Sequence, residues 1–364
     1  MNVRDSEVIC GLLKQAGFSL TDDPAQAGVI LLNTCSVRQN AEQRVWSEIG
    51  RYKEGKIVGI VGCMAQEHKE KIFERAQNIN FAVGTADIEK IPAIIASLIK
   101  DKEGILERKI WETGGAARTD QIYHTGFYQD KRHAFVVISE GCSNFCSYCV
   151  VPYVRGALRN RGYKDILKEI KEAIEKGITE ITLLGQNVNA YRFEGTDFIK
   201  LIELVSRVKG LKSLDFVTSH PKDTTVDLFK AMADTKNLKK WLHLPIQSGS
   251  DRILNLMNRG YTRKYYLDLA NNYRKIVKGA LLTTDAILGF PTETEVDFQE
   301  TYDLFKKVEF DAAYIFKYSP RPNAKSAKMP DDVRRQEKER RHNLILELQK
   351  RISRIKLNKR KNLN

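Results

Sequence analysis

Cysteine and histidine are both scarce in this chain, 6 of each in 364 residues. Long hydrophobic runs are missing: no stretch approaches the ~20 apolar residues that a membrane span requires. The opening residues, Met1-Asn2-Val3-Arg4-Asp5-Ser6-Glu7, lack the apolar core of a secretory signal. These absences argue against the membrane-spanning and disulfide-rich secreted classes and point to a cytoplasmic protein with no membrane contact. In that compartment the cysteines are expected to serve metal binding or catalysis rather than disulfides. Acidic residues are the minority, 46 Asp/Glu against 60 Lys/Arg, for a net charge of +14. Such an excess suits a polyanionic partner. Half of it falls in residues 331–364, with 12 Lys/Arg against 5 Asp/Glu. A charge run of this kind is most simply a solvated helix. Leu344, Ile345, Leu348 and Ile352 keep a helical stripe, however, so part of the segment should pack.

What cysteine there is falls close together. Cys142-Ser143-Asn144-Phe145-Cys146-Ser147-Tyr148-Cys149 has the spacing C-x3-C-x2-C and follows a strand-like run, Ala134–Ser139. Thiolates are ligands for soft metals and iron–sulfur clusters. A four-iron cluster normally takes four protein ligands. No cysteine follows Cys149, so three ligands would leave one iron open. Two plainer readings stand beside this one. A zinc site would want a fourth Cys or His, and the nearest histidines, His133 and His124, lie upstream without ligand spacing. Three inert, packed cysteines fit poorly in a Ser/Asn-rich loop.

The length suggests two or three domains. Residues 1–105 alternate helix and strand: helices Ser6–Gln15 and Asn40–Glu54, strands Ala27–Asn33, Lys56–Gly62 and Phe81–Gly84. This alternation predicts a parallel α/β sheet, with Cys35 and Cys63 at equivalent strand ends, where ligands gather. Cys10, inside a helix, reads as packing. Residues 106–132 lack a period and read as a linker. Residues 133–330 supply six further strands, Ala134–Ser139, Glu180–Leu184, Ser213–Val217, Trp241–Ile246, Leu281–Leu288 and Ala313–Tyr318. The helices between them are Tyr163–Lys176, Asp197–Val208, Thr225–Ala233, Arg263–Val277 and Glu293–Val308. Six β/α units without a seventh and eighth predict an open, partial (β/α)6 barrel. In such barrels reacting groups project from the C-terminal strand ends. There the chain places the cysteine loop and the peptides Gly185–Tyr191, Thr218–Pro221, Gln247–Ser250, Gly289–Glu293 and Ser319–Pro322. Each alone is an ordinary turn or cap. Together they form a polar rim able to hold a charged small molecule beside the cysteines.

These peptides together resemble the radical S-adenosylmethionine methylthiotransferases. The matching pieces are Asn33-Thr34-Cys35-Ser36-Val37-Arg38, Gly62-Cys63-Met64-Ala65-Gln66, Glu140–Cys142 through Val151-Pro152-Tyr153-Val154-Arg155-Gly156, Leu183–Tyr191, His243–Ser250 and Phe316–Pro322. They span nearly the whole chain. Gly185-Gln186-Asn187-Val188-Asn189-Ala190-Tyr191 and Lys317–Pro322 are similar to the branch that adds a methylthio group to carbon 2 of N6-isopentenyladenosine at position 37 of tRNA. The resemblance implies that Cys142, Cys146 and Cys149 hold a 4Fe-4S cluster whose open iron binds S-adenosylmethionine. One-electron cleavage then yields a 5′-deoxyadenosyl radical able to take hydrogen from an unreactive carbon, chemistry beyond acid–base side chains. It also implies a second 4Fe-4S cluster at Cys35 and Cys63, and an electron donor such as flavodoxin or ferredoxin. A monomer is expected. Gln247, Ser248, Gly289 and Pro291 are candidates to contact S-adenosylmethionine, and Arg155 to make a polar contact near the cluster loop.

The chain departs from that pattern at both ends. The family's first N-terminal cysteine would lie two residues before Met1, and its small RNA-binding β-barrel, the TRAM domain, would begin where this chain stops. The chain is therefore expected to be truncated at both ends. Two other functions compete with this reading. One is a methylthiotransferase acting on threonylcarbamoyl-adenosine in tRNA or on a ribosomal protein. The other is an RNA-binding protein with a structural metal site.

Overall fold

A computed structural model describes residues 1–35, 39–52, 55–100, 109–115 and 117–361. The first sheet has four parallel strands in sequential order, Val29–Thr34, Ile57–Gly62, Phe81–Val83 and Ile110–Glu112. The strand Ile57–Gly62 is buried along its whole length, as a strand with parallel neighbours on both sides and helices on both faces must be. Val8, Ile9, Ile91 and Ile95 pack on one face of this sheet, and Ile49, Ala65 and Ile72 on the other.

Two sequence expectations change here. The helix expected over Ser6–Gln15 begins at Asn2. Its first turns looked polar, but Arg4, Asp5 and Glu7 are buried in ion pairs, so charge masked the inner face. The span 106–132 is more than a linker. Residues 106–108 and 116 lie outside the described residues, yet Ile110–Glu112 is the fourth sheet strand. Residues 120–125 form a short 3-10 turn with Ile122 and Tyr123 buried. Elements of three to six residues carry too little periodicity to register in sequence. The expected helix Asn40–Glu54 runs over Gln39–Ile49, and residues 53–54 are outside the described residues.

Six parallel strands follow: His133–Val137, Glu180–Leu184, Ser213–Phe216, Trp241–His243, Leu281–Leu288 and Ala312–Lys317. They form two three-stranded sheets in chain order, joined along the arc by a bridge between Leu214 and Leu238. Five helices cover the outside: Tyr163–Glu175, Phe198–Ser206, Val226–Asp234, Arg263–Ile276 and Glu295–Val308. Asp197, Thr225, Thr262 and Thr294 cap four of them through their side chains, which fixes where each helix starts. The fourth strand ends at His243 rather than Ile246. Pro245 has no N–H for the ladder, and the Ile246 N–H turns to Thr284 Oγ1 instead. The basic tail forms one helix, Arg335–Lys361, that packs on the last strand. Ile345, Leu348 and Ile352 join the barrel core, so the stripe read in sequence is an inner face. Among the described residues no helix is long and apolar enough to cross a membrane.

His124, on the 3-10 turn, ties this segment to the first barrel helix. Its ring nitrogens lie 2.7 Å from Glu172 and 2.9 Å from Asp165. Partial burial disfavours the imidazolium, but the two carboxylates outweigh it and raise the pKa. The clamp's stability is fully present below the unfolded value of about 6.5 and is lost as pH rises through the raised folded value. Thermal melts across that window should show a stabilisation at the acid end that His124→Gln lacks.

Candidate active site at the barrel rim

The cysteine loop is held at its base and its tip. Ser139–Glu140 pairs with Arg159–Asn160, and Cys142 N–H bonds to Gly156 O at 3.1 Å. Gly141 stands at φ +72° with its Cα against the Ala157 backbone, a position no side chain could share. Ser147 N–H donates to Met257 O at 3.0 Å, and Asn258 Nδ2 donates to Asn144 O and Phe145 O, each at 3.1 Å. Lys222 Nζ reaches Asn144 Oδ1 at 2.8 Å. These ties place the loop over the C-terminal ends of the strands.

Cys146 is the most engaged of the three cysteines. Arg259 Nη1 lies 3.4 Å from its sulfur and His220 Nε2 lies 4.0 Å from it. His220 Nδ1 accepts the Lys222 N–H at 3.1 Å, so the ring proton sits on Nε2, facing the sulfur. Burial, with Arg259 and Lys222 nearby, pushes this imidazole down to about 2, which keeps it a neutral donor. The Arg259 guanidinium is buried, with Pro245 O, Tyr261 and Tyr148 as its other partners. Donors of this kind orient thiolate ligands and tune a bound cluster. Neither Arg259 nor the sulfur contact of His220 was anticipated. The polar turn Asn258-Arg259-Gly260 after a helix was the only sequence signal for Arg259. Burial pushes the Cys149 thiol up to about 12 and raises Cys142 as well. Ligation would therefore require these thiols to lose their protons to a bound cation. Among the described residues no three Cys, His, Asp or Glu side chains converge as they would around a single metal ion. A four-iron cluster spreads its ligands more widely than one ion does.

The rim also presents unsatisfied acceptors. Among the described residues, Gln186 Oε1, Asn187 Oδ1 and Gln247 Oε1 are buried without partners, as are the hydroxyls of Ser139, Ser147 and Ser219. Buried polar atoms of this sort are met by a ligand or by ordered water. Thr218 and Gln247 hold left-handed backbone at φ +73° and +69°, strain of the kind found at functional sites. The amine and ribose hydroxyls of S-adenosylmethionine are donors, so this set of acceptors fits that cofactor.

The five residues expected near the cofactor part company. Gln247 carries a free buried acceptor. Ser248 Oγ instead accepts the Ser250 N–H at 3.2 Å and sits 3.4 Å from Thr301 Oγ1. Gly289 N–H is bound to Glu293 Oε1 at 3.0 Å, and a β-carbon there would run into Lys338. Pro291 is buried in the same turn. Arg155 lies away from the strand rim, at the junction with the first sheet. There it pairs with Asp5 at 2.6 Å and faces Cys63. The Val151–Arg155 helix carries it toward the first domain.

Cys35 and Cys63 follow neighbouring strands whose last paired residues are Thr34 and Gly62. Cys63 packs on Val150 and Val154 of the cysteine-loop segment, and Thr85 Oγ1 donates to Val154 O at 2.7 Å. Burial raises the Cys63 thiol, against the pull of Arg155 and with a push from Cys35. Tertiary structure thus packs Cys63 against the segment that directly follows Cys149. Ser36, Val37 and Arg38 lie outside the described residues. Cys10 is half-buried in its helix, apart from either set.

Residues 136–305 match the Radical SAM superfamily, and residues 1–84 match an uncharacterized protein family, UPF0004. The tRNA-2-methylthio-N(6)-dimethylallyladenosine synthase of Carboxydothermus hydrogenoformans is 41% identical over 99% of this chain and 83% of the relative. That of Geobacter sulfurreducens is 40% identical over 97% of this chain and 80% of the relative. The radical S-adenosylmethionine methyltransferase TsrM of Kitasatospora setae, with cobalamin and a 4Fe-4S cluster bound, superposes with a TM-score of 0.61. The match covers 88% of this chain and 73% of that one at 16% identity, a likeness of fold. An open barrel with a three-cysteine loop on its rim defines a radical S-adenosylmethionine enzyme, a class that works with an iron–sulfur cluster and S-adenosylmethionine. Within that class the chain belongs to the tRNA-2-methylthio-N(6)-dimethylallyladenosine synthase family.

Proposed function

We propose that this chain adds a methylthio group to carbon 2 of N6-isopentenyladenosine at position 37 of tRNA. The observation that carries the reading is the packing of Cys63 against Val150 and Val154, in the segment that directly follows Cys149. A 4Fe-4S cluster held by Cys142, Cys146 and Cys149, with S-adenosylmethionine, supplies one-electron sulfonium cleavage and hydrogen abstraction. The chain's own residues do the positioning. Asn258 and Met257 hold the loop, His220 and Arg259 donate toward Cys146, and Gln247 offers its unpartnered oxygen to the cofactor. Cys35 and Cys63 hold a second 4Fe-4S cluster that serves sulfur insertion, and the protein works as a monomer fed by a flavodoxin or ferredoxin.

Nucleoside analysis of tRNA from a deletion strain tests the function. Loss of 2-methylthio-N6-isopentenyladenosine with accumulation of N6-isopentenyladenosine is expected, and an unchanged profile refutes it. Iron and acid-labile sulfide after anaerobic reconstitution test the second cluster. About eight irons per chain should fall to about four in Cys35→Ala/Cys63→Ala. About four in both proteins would mean that only the loop cluster assembles.

A further inference from the structure

The inner wall of the barrel is covered over only half its arc. Side chains alternate across a strand, so residues flanking those packed against the outer helices face inward. In the first three-stranded sheet, Val137 and Leu184 pack in one apolar cluster with Val8 and Ile9 of the N-terminal helix. The second sheet has no such cover among the described residues. Leu242, Leu282 and Ala286 point to the outer helices, which leaves Trp241, His243, Thr283, Asp285 and Tyr314 on the concave side. Trp241 is 38% exposed and Tyr314 54% exposed, although both stand inside the barrel.

These five side chains are ordered. Thr283 Oγ1 accepts the indole N–H of Trp241 at 3.0 Å and lies 3.0 Å from His243 Nδ1. With the hydroxyl proton turned to Nδ1, His243 presents its Nε2–H to Asp285 Oδ2 at 3.4 Å. The Tyr314 ring stands edge-on to His243 with centroids 6.3 Å apart. Asp285 also joins this wall to the rim, since its carbonyl accepts the Gln247 N–H at 2.9 Å. Two uncovered aromatic rings beside a carboxylate make a surface for a flat nitrogen heterocycle. The rings offer stacking, and the carboxylate offers an acceptor for a ring-edge N–H.

We propose that Trp241, His243, Asp285 and Tyr314 form the seat of the tRNA nucleobase. Tyr314 stacks on it, Trp241 bounds the seat on the far side of His243, and Asp285, oriented through His243, accepts from its edge. This rests on the tRNA reading above and names residues that the family motifs of the rim leave unassigned. The test uses the reconstituted chain and two anticodon stem-loop RNAs, one with N6-isopentenyladenosine at position 37 and one abasic there. Wild type should bind the first more tightly. Tyr314→Ala and Trp241→Ala should each weaken that binding by about tenfold and shrink the difference between the two RNAs. Tyr314→Phe, which keeps the ring, should restore it. Iron content per chain confirms that each variant is folded. A base-versus-abasic difference of wild-type size in both alanine variants overturns the proposal. Wild-type protein that yields no methylthio product from the first RNA counts against the proposed function instead, and the binding comparison still decides whether this wall holds the base.

Discussion

Replacing Cys142, Cys146 and Cys149 together with alanine should remove about four of about eight irons per chain, roughly half of the absorption near 400 nm and all cleavage of S-adenosylmethionine. Among the described residues a single imidazole beside Cys146 cannot replace three thiolates. The nearest donors to Cys146 are a neutral His220 and the cationic Arg259, and a guanidinium has no lone pair to give a metal. The fold should survive. The loop is held by backbone and side-chain hydrogen bonds from Met257, Asn258 and Lys222 that do not involve sulfur. Far-ultraviolet circular dichroism of the triple variant should therefore match wild type while the brown colour falls by about half. Retained cleavage of S-adenosylmethionine in that variant would refute the assignment of these cysteines. The contrast with Cys35→Ala/Cys63→Ala is the useful part, because that pair should keep cleavage and lose methylthiolation.

Asp5→Ala is expected to cost about 3–5 kcal/mol of stability, the typical effect of removing one partner from a buried ion pair. Asp5 accepts from Arg118 and Arg155, each at 2.6 Å, and all three side chains are almost fully buried. Arg118 keeps Glu140 at 2.9 Å, whereas Arg155 would lose its carboxylate in the interior. Burial alone would raise the Asp5 carboxyl. The two guanidinium groups overcome it and hold the pKa well below the usual carboxylate range. The stabilisation is thus present above the unfolded value of about 3.9 and lost as pH falls through the depressed folded value. Urea unfolding of wild type and variant at neutral pH checks the magnitude. A difference under about 1 kcal/mol would place the pair's contribution in the range of a surface ion pair. The network also steadies Arg155 beside Cys63, so the variant should weaken the N-terminal cysteine site along with the fold.

The particular elements explain what was legible. The strand Leu281–Leu288 and the start of the helix Tyr163–Glu175 read true because long, regular segments repeat their pattern many times. Ile110–Glu112 did not, because three residues cannot display a period. The three loop cysteines stood out in sequence because the C-x3-C-x2-C spacing is local. Arg259 was not, because it reaches Cys146 from 113 residues away through a fold that sequence spacing does not encode. Ser248 and Gly289 were placed at the cofactor by their position after strands. Whether a group is free there or already spent on Thr301 or Glu293 depends on neighbours from distant helices.

The chain's residues by themselves determined the α/β class, the alternating elements, the cysteine loop and the family, for these follow from local periodicity, ligand spacing and matched peptides. Tertiary structure alone decided that the N-terminal helix lines one half of the barrel, that Arg155 faces Cys63, and that Trp241 and Tyr314 stand uncovered on the other half. Burial and pairing are properties of surfaces brought together from far along the chain, and no local pattern specifies which surfaces will meet.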